Sequence, residues 1–171
     1  MAKQREATPD EFKAMAHPLR LRILRLCLHD SLTNKEIADR LGKDPATVLH
    51  HVRVLVEHGF LRAERPRTGA RGALEKPYRA TGKSWNLSVE RFPADQQLVQ
   101  ALVMVDALRG EMIEAGAERT RHGARLGLRL GDEAAAELAT RLEALVQEYA
   151  ARPVDPAGKS YGLFTWLHER P

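Results

Sequence analysis

The chain has 171 residues, of which 43% are hydrophobic, 29% charged and one a cysteine, and its formal net charge is +4. That is enough chain for one medium domain or two small ones around a real core. Cys27 alone excludes an intrachain disulfide and a cysteine-based zinc cluster, and no apolar run reaches the ~20 residues that span a bilayer.

The polar start MAKQREATPDEFKAMA lacks the apolar middle of a secretory signal, so the expectation is a cytoplasmic protein. The charge is unevenly divided. Residues 1–83 hold 17 Lys/Arg against 10 Asp/Glu, a surplus of +7, whereas residues 84–171 hold 10 against 13, a deficit of −3. A basic first half joined to an acidic second half points to a polyanionic partner for the first half only.

In chain order, TPDEFKAMA predicts a short helix with Thr8 as cap, Pro9 at its first position and Asp10 and Glu11 in its first turn. His17-Pro18 restarts the chain, and residues 19–28 predict a helix that is apolar almost all round, with Arg22, Arg25 and His29 as its one wet stripe. LTNKEIADRLG follows. Thr33 and Glu36 fit a capping box flanked by Leu32 and Ile37, and Gly42 is a natural stop. Asp44 and Pro45 then open another helix, ending near His58-Gly59, in which Val48, Val52, Leu55 and Val56 recur at helical spacing. Two short helices joined by a glycine-containing turn are the helix-turn-helix signature.

Next, residues 60–66 (FLRAERP) and 75–81 (EKPYRAT) predict two strands around the Gly- and Arg-rich turn RTGARGAL. A helix-turn-helix followed at once by a basic hairpin is a winged helix. AMAHPLRLRILRLCL, LTNKEIADRLGKDPATVLHHVRVLVEHGFLRAERP and the Arg-rich turn with YRAT together resemble the DNA-binding domain of ArsR-type winged-helix regulators. The resemblance covers about residues 8–82. It implies a dimeric bacterial or archaeal transcription factor, usually a repressor, that an effector releases from its operator.

On this reading Val48, Val52 and Leu55 hold the second helix of the motif against the domain, and its other face meets the major groove of DNA. Thr47 and His50 are placed for base edges, with Arg53 beside them as a reader of guanine. Lys43, Lys35 and His51 suit phosphates, although a histidine between helices is as readily a packing residue. In the hairpin, Arg65, Arg67, Arg71, Lys76 and Arg79 gather five cations beside two glycines. They would gain little in a merely solvated loop, and phosphate or minor-groove contact accounts for them better.

Residues 84–93 predict a linker between a DNA-binding domain over 8–83 and a region over 94–171. A long amphipathic helix begins at Ala94, with Leu98, Ala101, Leu102, Val105, Leu108 and Met112 on one stripe. Val99, Val103 and Ile113 widen the apolar face beyond what a small domain buries, so Leu98, Leu102, Val105, Leu108 and Met112 are candidates for a dimer interface. RLGLRL (125–130) alternates as a strand, Asp132 is placed to cap a helix whose Leu138, Leu142, Leu145 and Tyr149 face inward, and SYGLFTWLH (160–168) predicts a final strand. The fold class expected is therefore mainly α with small β: a winged helix-turn-helix domain followed by an α-β-α-β dimerisation region.

Trp85, Phe92, Phe164 and Trp166, together with Tyr161, are candidates for an organic-effector pocket, although aromatics at strand spacing are more often core. Cys27 is alone and His122 and His168 are isolated, so neither a metal site nor a cofactor is expected. The partners expected are double-stranded DNA, a second copy of the chain and a small-molecule effector, with no membrane. The leading expectation is a sequence-specific homodimeric regulator reading a palindromic operator. The alternative is a winged-helix protein-interaction module docking an acidic partner. An enzyme is not expected, because the second half has no Gly-rich phosphate loop, nucleophile motif or metal-ligand spacing.

Overall fold

Short-range sequence signals set the starts of the first helices. A two-residue strand, β1 (Arg5–Glu6), leads to Thr8, whose hydroxyl accepts from the Glu11 N–H while the Glu11 carboxylate accepts from the Thr8 N–H, and this box opens α1 (Pro9–Met15). His17 caps α2 (Pro18–Leu26) through its ring, with Nδ1 accepting from the Leu19 N–H at 3.1 Å. After β2 (Leu32–Thr33), the Thr33/Glu36 box opens α3 (Asn34–Leu41), which ends at Gly42 with φ 58°. Asp44 then caps α4 (Pro45–Glu57), its carboxylate accepting from the N–H groups of Ala46 and Thr47. The computed structural model describes residues 5–69, 72–119, 121–155 and 157–169, which divide into two units between Ala117 and Glu118.

In the first unit, β3 (Leu61–Ala63), β4 (Arg67–Thr68), β5 (Leu74–Glu75) and β6 (Pro77–Ala80) follow α4. β6 is the middle strand of a three-stranded antiparallel sheet, pairing Tyr78 with both Leu32 of β2 and Ala63 of β3. β4 and β5 extend the hairpin outward, with Arg67 opposite Glu75. The third strand, Leu32–Thr33, escapes notice in the sequence because the same two residues also start α3. Around this frame lies one core: Ile23 and Cys27 from α2, Ile37 from α3, Val48, Val52 and Leu55 from α4, and Phe60 and Leu61 behind it. Among them, Ile37 and the trio Val48, Val52 and Leu55 are those whose helical periodicity predicted an inward face.

Residues 84–93, read from the sequence as a linker, are fastened to the same unit. They follow a 3-10 turn (Lys83–Asn86) with β7 (Leu87–Ser88), which pairs in parallel with β1, and Phe92 stacks on Phe12 with ring centroids 4.3 Å apart. α5 (Ala94–Ala115) then packs along α2. Its buried residues are Gln100, Ala101 and Ala107, and its ion pairs to α2 are Arg22–Glu114 and Arg25–Glu111, the latter at 3.3 Å. Burial raises the Glu111 carboxyl above its ordinary range, with Arg25 and Arg22 opposing the rise.

The second unit contains α6 (Asp132–Ala150), and none of its described residues is buried. Here the sequence expectation needs correction. Segments 125–130 and 160–168 carry no strand among the described residues, so the expected α-β-α-β region consists of helices without the strands. Alternation gives a segment one apolar face, but a strand exists only by exchanging backbone hydrogen bonds with a neighbour. Leu126, Leu128 and Leu130 stay exposed. α6 also begins one residue earlier than expected. Gly131 is its cap and makes no side-chain bond, Asp132 is its first residue, and of the four side chains expected inward Leu145 and Tyr149 are exposed.

Candidate nucleic-acid interface

α4 separates two kinds of side chain cleanly. Val48, Val52 and Leu55 are fully buried, while Thr47, His50 and Arg53 on the opposite side are exposed, as is Lys43 in the turn before the helix. A short helix seated by three aliphatics with small polar, imidazole and guanidinium groups outward can enter a groove without disturbing its own core. Lys35, on the exposed side of α3, pairs with Asp39 one turn on, at 2.6 Å. That pair is solvated and weak, so the ammonium can exchange it for a phosphate.

His51 belongs elsewhere. It is 8% exposed, and its ring lies against that of His17 with centroids 4.4 Å apart. Burial first, then the fields of His17, Arg20 and His50, bring its pKa down to about 4. It is therefore a neutral packing residue between α2 and α4 and is not placed to touch a phosphate, which corrects the reading of His51 as a contact.

The five hairpin cations have different surroundings. Arg65 and Lys76 are exposed, and among the described residues neither makes an ion pair or hydrogen bond. Arg67 is committed within the protein: it grips both carboxylate oxygens of Glu36 at 2.6 and 2.8 Å and approaches Glu75 at 3.4 Å. The Glu36 carboxyl lies below its ordinary range, chiefly through the Thr33 N–H and further through Arg67. Arg67 therefore ties the hairpin to the start of α3. Arg79 is half-buried and donates to the His29 carbonyl beyond the end of α2 at 3.1 Å, so it too has a structural bond. Arg71 lies outside the described residues. Arg53 and Lys76 line one open groove between α4 and the hairpin, of about 380 Å³, floored by Val52, Val56 and Tyr78.

Sequence reasoning missed the group that fixes the far end of α4. The Lys83 ammonium donates to the His58 carbonyl at 2.5 Å, pairs with Glu11 at 2.7 Å and lies over the Phe60 ring at 5.0 Å. A cation at a helix C-terminus meets the negative end of the helix dipole. Glu11 also receives Arg5 at 2.6 and 2.8 Å, and its carboxyl lies well below the ordinary range, first through Arg5, then through Lys83 and the Thr8 N–H, against the opposing effect of burial. The sequence placed Glu11 only in the first turn of α1, and nothing local signals partners six and seventy-two residues away.

Further along, Leu98, Leu102, Val105 and Met112 of α5 remain 44–58% exposed, and Leu108 is half-buried. The four aromatics considered for an effector pocket divide between the units: Trp85 and Phe92 in the first, the stacked pair Phe164 and Trp166 in the second. Phe92 is already occupied by Phe12. Cys27 is buried and its thiol is pushed up to about 12, so it is an inert core residue. Among the described residues no helix is long and apolar enough to cross a membrane.

Residues 15–64 match a family described as a helix-turn-helix domain, a span running from the end of α1 to just past β3 and amounting to less than a third of the chain. The chain thus carries a helix-turn-helix domain whose two helices are α3 and α4. Comparison with curated proteins found no match. Among solved structures, the crystal structure of the transcriptional regulator SlyA is similar over 77% of this chain and 74% of that one, at 16% identity and a TM-score of 0.32. So distant a likeness has no bearing on function.

Proposed function

We propose that this protein is a sequence-specific DNA-binding transcriptional regulator of the ArsR type, acting as a homodimeric repressor on a palindromic operator. The observation that carries the reading is the exposed Thr47, His50 and Arg53 surface of α4, set over the buried Val48, Val52 and Leu55 in a helix-turn-helix domain. Thr47 and His50 would meet base edges, Arg53 would take guanine, and Lys35, Lys43, Arg65 and Lys76 would meet phosphates. The +7 surplus of residues 1–83 supports a polyanionic partner. The HPLR and HHVRVLVEHGFL stretches support the family assignment. The exposed apolar face of α5 supports pairing with a second copy, which would set two α4 helices about one helical turn of DNA apart or a small multiple of it.

Selection of bound duplexes from a random pool by the full-length protein tests this. A palindromic consensus is the expected outcome, with affinity falling steeply as salt rises. Recovery of no sequence preference at low salt would favour the alternative, a module docking an acidic protein.

A further inference from the structure

We propose that the His17–His51 imidazole pair positions the DNA-reading helix and makes its seating acid-labile, so that acidification raises the opening of α4. This rests on the DNA-binding reading above, and the experiments below separate the failure of one from the failure of the other.

The geometry offers an added proton no acidic partner. His51 is on the side of α4 that faces the start of α2, and its Nδ1 is buried without a hydrogen-bond partner among the described residues. His17 uses Nδ1 to accept the Leu19 N–H at 3.1 Å, which requires that nitrogen to carry no proton. A second proton on His17 breaks the cap of α2, and one on His51 puts a cation between two helices. The groups acting on the pair are cations or imidazoles: Arg20 from α2, and His50 from α4, whose ring is 5.4 Å from that of His51. None of those groups is a carboxylate, so no acidic group acting on the pair among the described residues neutralises the added charge.

Both rings accordingly titrate below the ordinary 6.5, His17 through burial and then Arg20 and His50, and His51 at about 4. A ring that protonates less readily in the seated state than when released contributes stability that is fully present above 6.5. That stability is lost as pH falls from there toward 4. For His51 alone, the opening equilibrium of α4 rises about twentyfold between pH 7 and pH 5.

The test uses the full-length protein. Imidazole NMR titration should place His51 more than one unit below a free ring. Amide hydrogen exchange, corrected for intrinsic rate, should show α4 opening about twentyfold more at pH 5 than at pH 7, with α3 rising less. His51→Phe keeps a ring in the seat but cannot titrate, and His17→Asn keeps an N-cap acceptor without the imidazole. The first should remove most of the pH dependence of α4 opening, and the second should reduce it. An ordinary His51 titration, or α4 opening indifferent to pH, overturns the proposal. Acid-driven opening in a protein that binds no duplex at any pH upholds the positioning role and defeats the DNA-binding reading instead.

Discussion

α4 and α5 belong to the same unit and present opposite faces. α4 buries Val48, Val52 and Leu55 and exposes Thr47, His50 and Arg53, whereas α5 buries Gln100, Ala101 and Ala107 and exposes Leu98, Leu102, Val105 and Met112. An apolar stripe therefore shows that a helix face is meant to be covered, but not by which chain. For α4 the cover is the protein's own core. For α5 the unit offers α2 only a small and polar seam, held by Arg22–Glu114 and Arg25–Glu111, and leaves the large aliphatics free.

The sharpest way to test the contrast is to replace a leucine on each helix. Leu55→Ala removes a fully buried side chain and should lower unfolding stability by about 2–5 kcal/mol in chemical denaturation. A loss below about 1 kcal/mol would mean that α4 is not seated as described.

Glu11→Gln tests the fastening at the end of α4. Losing the charge that holds Arg5 and Lys83 should cost about 1.5–3 kcal/mol. Because the folded carboxyl titrates below its ordinary 4.5, its contribution is complete above that pH and disappears as pH falls further. The gap between natural and variant stability should therefore narrow on acidification below 4.5, and a gap constant down to pH 3 would rule out this ion network as its source.

Arg53→Ala probes the outward side of α4. Binding to the selected duplex should weaken by about 1–3 kcal/mol, with a much smaller loss for unrelated duplex. Equal losses on both would reassign Arg53 to the DNA backbone. The smallest effect on folding is expected from Leu102→Glu on α5, under about 0.5 kcal/mol in the monomer. The same change should move the sedimentation equilibrium toward monomer, and a dimer that persists would shift the interface away from α5.

Much of the helix-turn-helix domain was legible because its signals are short-range. Thr33, Glu36, Gly42, Asp44 and Pro45 set helix ends within a few residues, and periodicity picked out Ile37, Val48, Val52 and Leu55 as core. What was missed depends on distant partners. Glu11 and Lys83 meet across seventy-two positions, and Arg67 and Arg79, read as wing cations that contact DNA, also hold Glu36 and the His29 carbonyl. His51 illustrates the limit, since the sequence left it open as a phosphate contact or a packing residue and only the proximity of His17 decides. Segments 125–130 and 160–168 failed for the complementary reason: alternation is a property of one segment, and a ladder requires two.

The fastening of residues 83–93 bears on the operator proposed above. A free ten-residue tether has a root-mean-square reach of about 17 Å and would let a reading head search many positions. Here Lys83 is pinned to the His58 carbonyl and Glu11, Leu87–Ser88 to Arg5–Glu6, and Phe92 to Phe12, so the path from α4 to α5 works as a strut. In the proposed dimer, two such struts would present their heads at one fixed pitch and phase. Inserting a single base pair between half-sites shifts one of them by about 3.4 Å and rotates it by about 34°, which a strut cannot follow.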